Sequence, residues 1–256
     1  MNKQLFFLVA MHRSGNTVFA SIINQNPEIV CTAKSMTLEI MKQLFLIKNM
    51  EIYKNFSDSD SLDNVMDSIY DNYYRHWPQK YIIDRGPATL SGNFALLNKH
   101  YKRPFKCIIL VRDLLDVLAS YIKWYSENPN AFLNKVGNTD EEKLSEVMRK
   151  DGGIAKDLEA IKNAYNYPEI CHFIKYDDMV TNPEQVFFHL YQFLGIKPFK
   201  HNFKNLKQIE INGIGYDDTI VGNNMHTIKT ELQKQPNPYY NRIPERFIKQ
   251  YGHIKF

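Results

Sequence analysis

Cysteine is scarce in this chain: three in 256 residues, Cys31, Cys107 and Cys171, an odd number with no Cys-x-x-Cys pair. That excludes a disulfide framework and a cysteine-built zinc site, and it reads as reduced, buried thiols in a reducing compartment. Long apolar runs are missing too. The run Leu5–Met11 is too short to span a bilayer and has no small-residue cleavage site, so it reads as a strand, and the chain is expected to be cytoplasmic with no membrane span. There is no clustered Lys/Arg stripe, and the net charge of +4 is mild, which argues against a nucleic-acid partner. No Pro/Gly/Ser linker, repeat or low-complexity tract divides the chain, so a single domain over 1–256 is expected. With 44% hydrophobic and 13% aromatic residues there is ample material for a core.

Two nucleotide motifs are absent as well. The Gly-x-x-x-x-Gly-Lys-[Ser/Thr] loop, which sets Lys on the outer phosphates and a hydroxyl on magnesium, does not occur. Neither does the three-glycine dinucleotide turn. What stands in their place is an apolar run, Leu5–Met11, that stops at His12-Arg13-Ser14-Gly15-Asn16-Thr17 and continues as the amphipathic stretch Val18–Gln25. This is strand, tight loop, helix. The loop N–H groups and the first helical turn converge on one point, the helix dipole adds positive potential, and such a nest binds a phosphate-like anion. Gly15 allows close approach, Ser14 and Thr17 offer hydroxyls, and Arg13 adds a permanent charge. A buried strand with an ordinary capped helix is the competing reading.

A second apolar run, Phe105–Val111, ends in Arg112-Asp113 and a helix. Arg112 thus falls at the carboxyl end of a strand, where open α/β sheets bind ligands. Ser120 lies two turns on along that helix. Further strands are expected at about 28–32, 80–84 and 171–175. Helices are expected at 35–49, 61–77, 90–100 and 140–165, after Asn182-Pro183 (Asn as N-cap), and after Ile243-Pro244. Alternating strands and helices predict an α/β fold with a central parallel sheet flanked by helices on both faces.

Together these segments resemble the PAPS-dependent sulfotransferases. Arg13-Ser14-Gly15-Asn16-Thr17 matches the family's Arg-Ser-Gly-x-Thr loop, and Arg112, Asp113, Asp116, Val117 and Ser120 match its Arg-Asp-x-x-Asp-Val-x-x-Ser. Asp84-Arg85-Gly86-Pro87 stands for Asp-Lys-x-Pro. Tyr176-Asp177-Asp178-Met179 with Phe193-Leu194-Gly195 stands for Tyr-Glu-Asp-Leu and Phe-Leu-Gly. Asn26-Pro27 also fits. The resemblance implies the P-loop-NTPase-like sulfotransferase fold and 3′-phosphoadenosine 5′-phosphosulfate (PAPS) as cofactor, with adenosine 3′,5′-bisphosphate as its product and no metal. It implies that Arg13, Ser14, Gly15, Asn16 and Thr17 hold the 5′-phosphosulfate and that Arg112 and Ser120 hold the 3′-phosphate. Catalysis would involve Arg13 and Arg85, and a C-terminal basic segment, here His226 and Lys229, would close over the nucleotide. The sulfuryl group would pass in line to a hydroxyl or amine of a small-molecule, carbohydrate or peptide acceptor.

The chain departs from the pattern at the base. The tyrosyl-protein branch has a Glu where this chain has Lys34, and the cytosolic branch has a His where it has Pro87. Glu39, Asp84 and His12 are candidates by position. His12 reads rather as loop-shaping, and the base is left open. Helical insertions at about 35–77 and 126–168, with Tyr53, Phe56, Tyr73, Trp77, Trp124 and Tyr125, are expected to form the acceptor side. In the tail, Gly213, Gly215, Gly222 and Asn223-Asn224 predict a mobile loop, and the residues after Met225 a short basic helix. Two other readings stay open: a P-loop kinase with Mg-ATP and Asp113 as its acidic strand-end residue, and a non-catalytic nucleotide-binding relative.

Overall fold

The computed structural model describes residues 3–55, 59–215, 217, 219, 226–234 and 236–256. Five parallel strands form the central sheet: β1 Gln4–Ala10, β2 Ile29–Cys31, β3 Tyr81–Arg85, β4 Lys106–Val111 and β5 Cys171–Lys175, in the order β2-β3-β1-β4-β5. The most apolar segment takes the central place because both its faces are covered. Leu5, Phe7 and Val9 enter one buried cluster, and Phe6 and Leu8 enter the other. Phe7 meets Tyr70, Tyr101 and Phe105 edge-on. On the opposite face Phe19 of α1 (Asn16–Ile23) stacks on Phe187 of α9 (Pro183–Leu194).

Register brings the chemistry to one edge. Leu8 pairs with Arg85 and Ala10 with Leu110, while Val111 pairs with Lys175. The residues that follow these strands, His12-Arg13, Arg112 and Tyr176, therefore emerge together with Arg85 at the carboxyl edge.

Between the strands run α2 (Met36–Lys48), α3 (Ser59–Tyr73), α4 (Ser91–His100), α5 (Leu114–Glu127), α6 (Asp140–Val147), α7 (Gly153–Ala164) and α8 (Tyr176–Thr181), with α10 (Glu245–Tyr251) near the end. Ser35 caps α2, accepting from the Leu38 N–H at 3.1 Å. The single helix expected over 140–165 is two. A reciprocal Thr139–Glu142 capping box starts α6, and the chain restarts as α7 at Gly152-Gly153. A Cβ at Gly153 would lie 2.9 Å from the His12 ring, so the break puts a side-chain-free position against that imidazole. Asn182 occupies the N-cap of α9 without a side-chain cap bond; Pro183 opens the helix and Gly195, at φ 73°, closes it.

The tail differs from expectation at two places. Asn212 and Gly213 have φ of 52° and 82° and join β6 (Glu210–Ile211) to β7 (Ile214–Gly215) as a two-residue hairpin, whose primed turn needs positive φ at both central positions. Residues 226–234 are not a helix. Leu206 N–H donates to the Thr230 carbonyl at 2.7 Å and Leu232 N–H to Phe203 at 3.1 Å, so their backbone is spent on a neighbouring segment. Phe56, Gly222, Asn223, Asn224 and Met225 lie outside the described residues. Among the described residues no helix is long and apolar enough to cross a membrane.

Candidate active site

The β1–α1 loop is braced from beneath. The Met11 carbonyl accepts from the Ser14 N–H at 3.1 Å, the Ser14 hydroxyl at 2.6 Å and the Asn16 side-chain amide at 3.2 Å. Ser14 is fully buried and Asn16 nearly so. The Ser14 hydroxyl is thus committed to the loop, and Ser14 does not line the cleft that the loop borders. What remains on offer is Thr17, which lines the cleft, and backbone, since the first-turn N–H groups of α1 have no intrahelical acceptors, and no acidic side chain sits in that turn. Gly15 is required twice over. Its φ is 92°, and a Cβ there would lie 2.6 Å from the Tyr176 ring. Arg13 is also left-handed, at φ 63°, a conformation uncommon for a non-glycine residue.

Arg13 and Arg112 are locked into this geometry. Arg13 Nε donates to Ser120 Oγ at 3.0 Å, and Arg112 donates from one terminal nitrogen to the Arg13 carbonyl, also at 3.0 Å. The Arg112 guanidinium lies 4.3 Å from the Tyr176 ring centroid. Its Nε is buried without a hydrogen-bond partner among the described residues. A buried, orphaned guanidinium N–H beside an open helix N-terminus is a donor set that fits a phosphate.

These groups open into one cleft of about 370 Å³. Of the residues expected at the site, His12, Arg13, Gly15, Asn16, Thr17, Arg85, Arg112, Ser120, His226 and Lys229 all line it. Lys123 and Trp124 of α5 add to its wall, as does Tyr176, whose double packing on Gly15 and Arg112 no local pattern announced. From 35–77 no described residue lines this cleft, and from 126–168 only Glu127 and Asn128 do. Of the aromatics expected there, Trp124 lines the cleft, whereas Tyr125 is buried behind it and Tyr53 and Tyr73 are exposed away from it.

Besides Ser14, two expected site residues, Asp84 and Glu39, do not line the cleft. Asp84 is completely buried and accepts from the hydroxyls of Thr32, Ser35 (2.8 Å) and Thr37. Burial pushes its carboxyl up from the ordinary range, against the pull of those hydroxyls. Every approach to it is filled by chain, so it ties the β2–α2 loop to β3. Glu39 lies on the outer side of α2, accepting from the Gln43 amide at 2.9 Å with Lys42 at 3.6 Å. Those neighbours, the Gln43 hydrogen bond first, hold its carboxyl below the usual range. Asp113 is also occupied: it caps α5 through the Leu115 N–H at 3.0 Å and meets Lys255 Nζ at 2.6 Å.

His12 is the remaining base candidate. Its backbone N–H and its ring Nδ1 both meet one oxygen of Asp157, at 2.9 and 2.5 Å. Asp157, on α7, is nearly buried, and the imidazole is half exposed.

Comparison with known proteins agrees with this architecture. A sulfotransferase domain model matches residues 3–227. Among solved structures, the sulfotransferase domain of the Synechococcus PCC 7002 olefin synthase superposes with a TM-score of 0.51 at 12% identity, over 100% of this chain and 97% of that one. A sulfotransferase from Alicyclobacillus acidocaldarius gives 0.51 at 15% identity, over 79% and 85%. Mouse sulfotransferase SULT7A1, solved in complex with PAP, gives 0.50 at 18% identity, over 78% and 62%. No curated protein matches by sequence. At such identities the structures speak for the fold alone, whereas the domain match takes in β1, the β1–α1 loop and Arg112 and ends at residue 227, short of Lys229. A five-stranded parallel sheet, a glycine-bearing nest without the magnesium-site residues, and a domain match over residues 3–227 make this chain a member of the sulfotransferase family.

Proposed function

We propose that the protein transfers a sulfuryl group from PAPS to a hydroxyl or amine acceptor. The observation that carries this reading is the convergence of Arg13, Arg112 and the open first turn of α1 on one cleft, with Arg112 Nε buried and, among the described residues, unpartnered. When bound, PAPS supplies the activated sulfuryl group and its adenosine 3′,5′-bisphosphate leaving group. Arg13 and the Gly15–Thr17 backbone would seat the 5′-phosphosulfate, and Arg112 with Ser120 would seat the 3′-phosphate by planar, charge-assisted hydrogen bonds. Arg85, at the end of β3, would face charge developing on the leaving oxygen; a guanidinium holds its charge but is a poor proton donor. His226 and Lys229 would cover the nucleotide from the tail. Rate enhancement would come from positioning and fixed charge. The helices of 126–168 reach the site through Glu127, Asn128 and the contact of α7 with His12, so we place acceptor entry on that flank.

Thermal unfolding with adenosine 3′,5′-bisphosphate, against Mg-ADP and Mg-ATP, tests this. Ligand at a hundred times its Kd stabilises by about 2.7 kcal/mol, which is about 5–10 °C for a chain of this size. A shift with the bisphosphate alone is expected; a shift with Mg-ATP alone would replace the sulfotransferase reading with a kinase.

A further inference from the structure

The residue that takes the acceptor's proton is missing from both positions where the family resemblance would put it, since Lys34 and Pro87 stand there. Asp84 is sealed under three hydroxyls and Glu39 sits outside the cleft. Resting on the sulfuryl-transfer reading, we propose that His12 is the general base and that Asp157 is the residue that positions it.

Three observations carry this. His12 lines the same cleft as Arg13, Gly15 and Thr17 and directly precedes Arg13, the residue argued to seat the sulfuryl group. A carboxylate can only accept, and Asp157 meets Nδ1 at 2.5 Å; in the neutral ring the proton therefore sits on Nδ1, and Nε2 is the nitrogen that carries the lone pair. The third is rigidity. The same carboxylate oxygen accepts the His12 backbone N–H at 2.9 Å, and Gly153 packs flat on the imidazole with no room for a side chain. The pair is built from the start of the anion loop and from α7, 145 residues apart in sequence. A loop-shaping role needs only the backbone N–H bond. The second bond, to a half-exposed ring, fixes a tautomer.

The step balances without a metal or redox partner. The acceptor's O–H (or N–H) proton moves to His12 Nε2 as the acceptor atom bonds to sulfur. The bond from sulfur to the phosphate oxygen breaks, and its electron pair leaves with adenosine 3′,5′-bisphosphate. The imidazolium is neutralised by Asp157 and afterwards releases its proton to solvent.

Long-range ¹H–¹⁵N NMR of the histidine rings tests the positioning without any acceptor. His12 is expected as the Nδ1–H tautomer with an unprotonated Nε2, and Asp157→Asn should lose that fixed tautomer. The second arm uses water as acceptor, following sulfate release from PAPS. His12→Ala should reduce release by about 10²–10⁴-fold, leave adenosine 3′,5′-bisphosphate affinity within about twofold, and recover part of the rate with added imidazole. Glu39→Gln is the control and should match wild type. An Nε2–H ring at His12, or a tautomer indifferent to Asp157→Asn, overturns the proposal. So does unchanged sulfate release by His12→Ala, or a loss that only tracks weakened bisphosphate binding. If wild type releases no measurable sulfate, the ring spectra decide. Failure of wild type to bind the bisphosphate would instead sink the sulfuryl-transfer reading, with the ring spectra unaffected.

Discussion

Asp84 and Arg85 are neighbours on β3, yet one is sealed in the protein and the other lines the cleft. The pleat separates them. Asp84 pairs with Phe7 and Arg85 with Leu8, and those two β1 residues belong to opposite buried clusters. A carboxylate turned toward the Phe7 side finds the Thr32, Ser35 and Thr37 hydroxyls and becomes a knot. A guanidinium turned the other way at the strand end lines the cleft. The same contrast separates two larger regions at this edge. At the end of β1, polar side chains brace the loop from below so that backbone donors face outward; at the end of β3, polar side chains face one another. The first arrangement turns its donors toward the cleft, whereas the Asp84 cluster spends its own on itself.

The sharpest way to break this contrast is to remove charge from the outward side. Arg13→Ala should lower sulfuryl transfer by about 10³–10⁵-fold, the range known for an arginine that meets transferring-group charge. Its thermal midpoint should stay close to wild type, because the Arg112 bond goes to the Arg13 carbonyl and survives the change. Activity retained in the folded variant would mean that the anion is seated elsewhere.

The converse is Asp84→Ala. It strands three buried hydroxyls, and with about 1–3 kcal/mol for each group left unsatisfied a loss of about 3 kcal/mol or more is expected in urea unfolding. The fraction that stays folded should still bind adenosine 3′,5′-bisphosphate. Unchanged stability would undo the knot, and weakened binding in folded protein would return Asp84 to the site.

Arg112→Ala sharpens the comparison further within the cleft. A charged hydrogen bond is worth about 1.5–3 kcal/mol, so binding of 3′-phosphorylated adenine nucleotides should fall by about 10–150-fold. Nucleotides lacking the 3′-phosphate should lose much less. Calorimetry with adenosine 3′,5′-bisphosphate and with AMP separates the two; equal losses would remove Arg112 from the 3′-phosphate.

What the sequence revealed follows the same physical line. β1, β4 and the nest were legible because local patterns carry them: apolar runs buried on both faces, then a glycine where the backbone turns left-handed. The place of Arg112 at a strand end was legible because the apolar run of β4 stops directly before it. The pairing of His12 with Asp157 was not, since a contact across 145 residues leaves no periodicity to read. Tyr176 was quoted only as part of a motif; its packing on Gly15 and Arg112 emerges when β5 is laid beside β4. The break that splits 140–165 falls at Gly152-Gly153, a pair flanked on both sides by helix-favouring residues. Residues 226–234 have helix-like composition, but 203–208 take their backbone bonds.

The smallest expected effect tests a third kind of buried polar group. His201 is boxed by Phe187, Phe199 and Phe203, with Tyr191 Oη 3.2 Å from its Nε2. Where Asp84 has three hydroxyl donors, this ring has no carboxylate to favour its charged form, and burial pushes its pKa down to about 4. The unfolded chain binds that proton near the ordinary value of 6.5, so between 6.5 and 4 the unfolded state holds more protons than the native one. The stability contribution is complete above pH 6.5 and declines as pH falls toward 4. His201→Phe keeps an aromatic in the box and leaves Tyr191 Oη to accept from the Asn26 amide, at 3.1 Å. The variant should therefore lie close to wild type at pH 7.5 and gain on it steadily toward pH 4.5 in urea unfolding. Other carboxylates tilt both curves alike, so the difference between the curves isolates this ring. Parallel curves would mean that His201 keeps its proton in the folded protein, and that its box is wetter than its aromatic walls imply.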